Sequence, residues 1–185
     1  ANLNAFLYWW GSTTPQENGD NEGLLEINGS SVIPTGRLWA FANYSRYVRP
    51  GAVRIGASTS NSAVNLSAYK NTDGSVSIVA LNTGSGADTI TYSLANTGVA
   101  NGATVTPYLT NNSNNVAQQG TTTVNGGAFT ATVPGRSLVT YVIPGGSTSG
   151  NTVTVTNPGA QTGAVGQAIS GLQINATDSA PAQTL

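Results

Sequence analysis

The sequence predicts a mainly β protein, a β-sandwich preceded by a single substantial helix. Three observations predict it. From Ala52 to Ile143, short runs rich in β-branched and aromatic residues recur at regular spacing, each bounded by turn residues. Only the stretch from Gly36 to Val48 places apolar residues at helical spacing. The 185 residues are rich in Thr, Ser, Asn and Gly and only 7% are charged, a composition common in bacterial extracellular β-proteins.

Taken in order, Leu3 to Trp10 is a dense apolar and aromatic run that stops at Gly11, and it is expected as a buried strand. Gly11 to Thr35 reads as a long irregular loop with a short strand at Leu24 to Ile27, and it carries Glu17, Asp20, Glu22 and Glu26. Thr35 is expected to cap the helix, whose packing face is Leu38, Phe41, Ala42, Ser45 and Val48. Pro50 stops the helix, because a proline pushes the residue before it, Arg49, toward extended geometry.

Strands are then expected at Ala52 to Ser58, Val64 to Lys70, Ser75 to Asn82 and Thr89 to Leu94, and again at Thr104 to Thr110, Thr121 to Val124, Phe129 to Val133 and Leu138 to Ile143. Asn71-Thr72-Asp73-Gly74 supplies a hairpin loop with a glycine available for positive φ. Residues 145–151 have the composition of a flexible linker. Beyond it Val153 to Thr156 alternates like a half-buried strand, and Ile169, Leu172 and Ile174 suggest another strand pair. The expected organisation is a first segment at 1–49, a sandwich at 50–144, the linker, and a tail module at 152–185.

Composition excludes several function classes. Histidine and cysteine are absent, which removes imidazole and thiolate metal ligands, disulfides and any nucleophile activated by a histidine base. The formal net charge of -1 leaves no basic surface to displace counterions from a nucleic acid. No apolar run approaches the roughly 20 residues of a membrane-spanning helix. Methionine is also absent, so Ala1 is expected to be a processed or cut end, and secretion is the expected destination.

Three collinear stretches resemble the C-terminal part of glycoside hydrolase family 30. Asn4-Ala5-Phe6-Leu7-Tyr8-Trp9-Trp10 is similar to the last strand of that family's (β/α)8 barrel. Arg37 to Ile55, which includes Trp39-Ala40-Phe41-Ala42-Asn43-Tyr44 and Arg49-Pro50-Gly51, is similar to the last barrel helix and the turn into an appended sandwich. Leu66-Ser67-Ala68-Tyr69, Asp73-Gly74, Val76 to Asn82 and Phe129 to Ile143 with Pro134-Gly135-Arg136-Ser137 match that sandwich in order and length. The tail resembles the opening of a bacterial immunoglobulin-like repeat through Val155 to Gly159, Val165-Gly166 and Ala176-Thr177-Asp178; a whole sandwich of that kind takes about 100 residues, so the tail holds only its first strands.

The resemblance implies a secreted, retaining hydrolase of a β-glycan such as xylan, β-1,6-galactan or β-1,6-glucan, a monomer with a polysaccharide substrate and no cofactor or metal. Its two catalytic glutamates would lie on the fourth and seventh barrel strands, before Ala1, so no residue of this chain inherits either role and the chain alone is expected to be inactive. Glu17, Asp20, Glu22 and Glu26 share an irregular loop that gives no fixed carboxylate separation, and they are read as a solvated rim.

The substrate-facing candidates are Trp9, Tyr8 and Trp10, because an aromatic face is an apolar platform for the C–H face of a sugar ring. Trp9 is preferred from its place in the family pattern; plain packing is the competing role. Strand alternation sends Tyr8 and Trp10 to one side and Trp9 to the other, and leaves open which set faces the site. Family members that read glucuronate carry a basic cluster after this strand, where Gly11 to Gln16 has none. Arg46, Arg49 and Arg54 are read as clamps at the helix-to-sandwich joint, and Asp73 as turn chemistry. The alternative function is a non-catalytic carbohydrate-binding or adhesion sandwich, but Tyr69, Tyr92, Tyr108, Phe129 and Tyr141 are scattered singly, as core and joint residues would be.

Overall fold

The computed structural model describes residues 5–16, 22–145, 153–156, 158–159, 163, 165–166 and 176–178. The chain divides into two compact units, Ala1–Gly146 and Ser147–Leu185. The first unit opens with β1 (Ser12–Thr13), β2 (Leu25–Asn28) and β3 (Ser31–Pro34), followed by the helix α1 (Gly36–Ser45). Its sandwich comprises β4 (Val53–Ile55), β5 (Val64–Lys70), β6 (Val76–Asn82), β7 (Asp88–Ser93), β8 (Thr104–Asn111), β9 (Asn114–Gln118), β10 (Thr122–Thr123), β11 (Ala128–Val133) and β12 (Ser137–Ile143). In the second unit β13 (Val153–Val155) pairs antiparallel with β14 (Ala176–Asp178); the strand pair expected around Ile169, Leu172 and Ile174 lies outside the described residues.

The large sheet runs in the order β10-β8-β12-β6-β5-β4, with β9 also on β8, and the small sheet is the antiparallel pair β11-β7. Strand alternation divides the large sheet's side chains between two layers. Val76, Ile78 and Ala80 of β6 and Val139, Tyr141 and Ile143 of β12 point into a core closed by Tyr92, Phe129 and Val133 of the small sheet. Tyr92 and Phe129 stack at 4.7 Å, and both rings meet Tyr141, at 4.9 and 5.4 Å. Of the intervening residues, Thr110 of β8 and Thr140 of β12 meet Asn43 of α1, and Ser77 of β6 and Tyr108 of β8 meet Tyr47 in the turn that follows the helix. β6 is buried along nearly its whole length because both of its faces are covered.

Several expectations are corrected. Residues 5–10 form no paired strand, and Phe6 and Leu7 are 61% and 93% exposed. A strand needs neighbours along its length to take its backbone groups, and among the described residues this segment is met only at its end, where the Trp10 carbonyl accepts from the Leu24 amide. The stretch after Gly11 is more regular than expected: β1 runs parallel to β2, which turns back into β3 through Gly29 at φ 60.

Thr35 stands at the N-cap position but makes no side-chain cap bond. Its hydroxyl instead donates to the carbonyls of Gly23 (2.8 Å) and Leu24 (3.0 Å), and its amide also goes to Leu24, closing the base of the β2–β3 hairpin. The helix ends at Ser45, and residues 46–48 form a turn in which the amides of Tyr47 and Val48 both reach the Tyr44 carbonyl.

The helix face that meets the sheet is not the apolar one. Asn43 is its single fully buried residue, at 0% exposure, with Tyr47 buried one turn further on. Asn43 Nδ2 donates to Thr110 Oγ1 (2.7 Å) and to the Trp39 carbonyl (2.9 Å), while the Thr140 hydroxyl donates to Asn43 Oδ1 (2.9 Å) and to its carbonyl (3.0 Å). A second polar contact lies beside it, where the Tyr47 carbonyl accepts from Asn71 Nδ2 and from the Ser77 hydroxyl, both at 2.9 Å. The Tyr47 ring stacks on Tyr108 at 4.6 Å with the Arg46 guanidinium 5.5 Å from its centre. Arg49 fits the clamp reading through its guanidinium to the Ser45 carbonyl and its amide to Asn71 Oδ1.

Candidate functional site

The site is built from the segment before β1 and the first turns of α1. Phe6 and Tyr8, two residues apart, turn the same way and set their rings 6.0 and 6.5 Å from that of Phe41. The Tyr8 hydroxyl donates to the Glu22 carbonyl (2.8 Å) and accepts from an Arg37 guanidinium N–H (2.9 Å), so its polar end is occupied within the chain. Trp9 points the other way and is 79% exposed. Trp10 is half-buried, its ring 5.9 Å from that of Trp9, and the Trp9–Trp10 peptide is cis.

The backbone here is held from behind. The amides of Leu24 and Leu25 donate to the carbonyls of Trp10 (3.1 Å) and Gly11 (3.0 Å), which anchors the aromatic pair to β2. Of the three sequence candidates, Tyr8 is therefore engaged by α1, Trp9 presents an open indole, and Trp10 lies against Trp9. Sequence reasoning missed Arg37, which fixes the Tyr8 ring from the helix side.

The carboxylates are dispersed. Asp88 accepts from Asn61 Nδ2 (2.8 Å) and Asn82 Nδ2 (3.1 Å), a structural role between β6 and β7. Asp73 Oδ1 accepts from the Ser75 amide and hydroxyl, which hold its carboxyl below the ordinary 3.8. Glu22 is exposed, Glu26 is half-buried on β2, and Glu17 and Asp20 lie outside the described residues. Among the described residues no group of three or more acidic, His or Cys side chains could hold a metal.

Two recesses flank these residues in the first unit, the first largely apolar and the second lined about equally by polar and apolar groups. One, of ≈ 880 Å³, lies among Phe6, Tyr8, Phe41, Tyr69, Leu81 and Leu138. The other, of ≈ 990 Å³, runs past Ile55, Ala57, Leu66, Ile90 and Leu94, beside the edge of β7 away from β11.

Residues 51–141, which hold most of this sandwich, match the glycosyl hydrolase family 30 beta sandwich domain. Through this domain the chain belongs to glycoside hydrolase family 30. It is 36% identical over 108 residues to the glucuronoxylanase XynC of Bacillus subtilis, covering 58% of this chain and 25% of that protein. In structure it resembles the catalytic domain of GH30 xylanase C from Talaromyces cellulolyticus, with 40% identity, TM-score 0.62, and coverage of 76% of this chain and 31% of the other. It also resembles the family 30 subfamily 8 xylanase Xyn30A from Clostridium acetobutylicum, with 28% identity, TM-score 0.65, and coverage of 77% and 34%. The chain thus spans about a quarter to a third of the relatives it matches.

Proposed function

We propose that the chain is the C-terminal part of a secreted, monomeric, retaining glycoside hydrolase that cleaves xylan, and that its sandwich serves as a buttress for the catalytic barrel. The observation that carries this reading is a family 30 sandwich fastened by polar contacts to a helix whose Arg37 holds Tyr8, next to the open indole of Trp9. Retention requires two carboxylates about 5–5.5 Å apart, one giving a proton to the leaving oxygen and the other attacking the anomeric carbon. Those carboxylates belong to the remainder of the parent enzyme; this chain contributes the Trp9 face on which a xylose ring stacks. The ≈ 880 Å³ recess beside Phe6 and Phe41 receives the rest of the barrel, and the ≈ 990 Å³ recess beside β7 receives a further strand of the sandwich. Gly11 to Gln16 offers no cation to hold a glucuronate branch, so cleavage of unbranched xylan is expected as well.

The test is hydrolysis of glucuronoxylan, unbranched xylan, β-1,6-glucan and β-1,6-galactan by the parent enzyme, its Trp9→Ala variant and the 185-residue chain. Cleavage of both xylans with retained configuration is expected from the parent, and none from the chain alone. Trp9→Ala is expected to weaken substrate binding about tenfold, from the loss of one aromatic stacking contact. Hydrolysis by the isolated chain, or an unchanged KM in the variant, would sink the assignment. Retardation of the isolated chain in a xylan gel would favour a binding module instead.

A further inference from the structure

The sequence contains four Asn–Gly pairs: Asn18-Gly19, Asn28-Gly29, Asn101-Gly102 and Asn125-Gly126. The first lies outside the described residues. Such a pair can modify itself with water as the only co-reactant. The glycine amide nitrogen attacks the asparagine side-chain carbonyl carbon, the bond to the side-chain nitrogen breaks, and ammonia leaves with the amide proton. The resulting five-membered succinimide is opened by water at either carbonyl, giving aspartate or isoaspartate. The step needs an amide N–H free to lose its proton and a carboxamide free to swing over it.

The structure separates the three described pairs on both requirements. The Gly102 amide donates to the Val124 carbonyl at 2.8 Å. The Gly126 amide donates at 2.8 Å to Oδ1 of Asn101, so the side chain of one pair occupies both itself and the nucleophile of the other. Asn125 Nδ2 is in turn directed to Thr123 Oγ1. Asn28 and Gly29 form part of the β2–β3 turn, with Asn28 opposite Ser31, and both are exposed. Among the described residues neither the Gly29 amide nor the Asn28 carboxamide has a hydrogen-bond partner, and no heavy atom beyond its chain neighbours lies within 4 Å of where a Gly29 Cβ would stand.

We propose that Asn28 is a self-modification site, the position at which this chain converts asparagine to aspartate and isoaspartate, while the crossed contacts of Asn101 and Gly126 protect the other two pairs. Aspartate at 28 changes the formal net charge from -1 to -2 (one more negative group). Isoaspartate inserts a backbone methylene at Asn28 and breaks its register with Ser31. The same hairpin anchors the Trp10 backbone through Leu24, so the lesion falls in the sheet that supports the aromatic pair.

The experiment incubates the native 185-residue chain at mildly alkaline pH, cleaves it with a glutamate-specific protease and chymotrypsin, whose cuts after Trp39, Leu94 and Tyr108 place Asn28, Asn101 and Asn125 on separate peptides, and maps these by mass spectrometry. Cleavage after Glu22 separates Asn18 from Asn28. A hydrogen bond that must open before attack slows a pair by about tenfold, so Asn28 is expected to convert about tenfold faster than Asn101 or Asn125. In denaturant the three rates should converge. Asn101→Ala, which releases the Gly126 amide, should accelerate Asn125 several-fold, and Asn28→Gln should remove the leading product. Equal rates at the three sites in the native chain, a lead by Asn101 or Asn125, or no response of Asn125 to Asn101→Ala would each overturn the proposal.

Discussion

Asn43→Ala probes the contact on which the helix-to-sandwich joint depends. The carboxamide makes three hydrogen bonds, to Thr110 Oγ1, to the Trp39 carbonyl and from Thr140 Oγ1, and the residue is fully buried. Some partners keep other contacts: Thr110 Oγ1 still accepts from the Val116 amide, and Thr140 still donates to the Asn43 carbonyl. The loss is therefore close to the net value of the bonds themselves, about 1 kcal/mol each and about 3 kcal/mol in all. For a chain of this size that lowers Tm by roughly 6–12 °C. Thr140→Val leaves Asn43 Oδ1 short of its donor and should cost about 1–3 kcal/mol. Because the two residues share a bond, the double variant should lose less than the sum of the singles. Chemical denaturation followed by tryptophan fluorescence, with exposed Ser45→Ala as control, measures all four. A loss below about 0.5 kcal/mol for Asn43→Ala, which is the scale of an ordinary surface substitution, would refute the reasoning.

Gly145→Ala should destabilise the sandwich by about 1–3 kcal/mol, because the added Cβ would stand 2.6 Å from the Gly74 carbonyl carbon and 2.8 Å from the Asp73 oxygen, both backbone atoms of the β5–β6 turn. The same denaturation assay reads it, and an unchanged midpoint contradicts the close approach. Asp73 is held below the ordinary 3.8 by the Ser75 hydroxyl and amide, so its contribution is present above that value and is lost as pH falls through the folded-state value. An NMR titration should place its midpoint under 3.8, and Ser75→Ala should raise it. Burial pushes the Tyr47 hydroxyl from 10.0 up to about 12, so this stabilising term is complete below pH 10 and is lost between the two values as only the unfolded chain ionises. Alkaline difference spectra should show Tyr47 ionising with unfolding, and Tyr47→Phe should flatten that part of the stability profile.

Much of the sandwich was legible because its strands are short runs rich in β-branched and aromatic residues, each closed by turn residues. Val64 to Lys70, which alternates, and Val76 to Asn82, which is nearly continuously apolar because both its faces are covered, appear on either side of the Asn71–Gly74 turn as expected. β9 was not legible: Asn114–Gln118 carries one apolar anchor, Val116, whose φ of 52 breaks the period and whose amide is taken by Thr110. The helix was located correctly, but its packing face was misread, since hydrophobic periodicity scores apolar residues and the sheet here offers threonine and serine hydroxyls. A signal existed in Trp39, Asn43 and Tyr47, spaced by four, with a poor helix former at the centre of an aromatic stripe. At the candidate site the aromatic run was visible, while the Arg37 contact with Tyr8 spans 29 residues and no local pattern announces it.

The polar joint and the aromatic segment act through one helix. Thr110 and Thr140 hold Asn43 in a fixed orientation, because hydrogen bonds constrain direction where apolar contacts allow sliding. Arg37 lies six residues earlier on the same rigid element and holds the Tyr8 hydroxyl, while Phe41, between them, meets the Tyr8 ring. Tyr8 precedes Trp9, so the direction of the exposed indole is set by a sheet that does not touch it. If that line of contacts positions the platform, Asn43→Ala in the parent enzyme should raise KM for xylan at temperatures well below its unfolding transition. A variant that melts early yet binds substrate with unchanged KM would confine the joint to stability and leave the orientation of Trp9 to the β2 anchor alone.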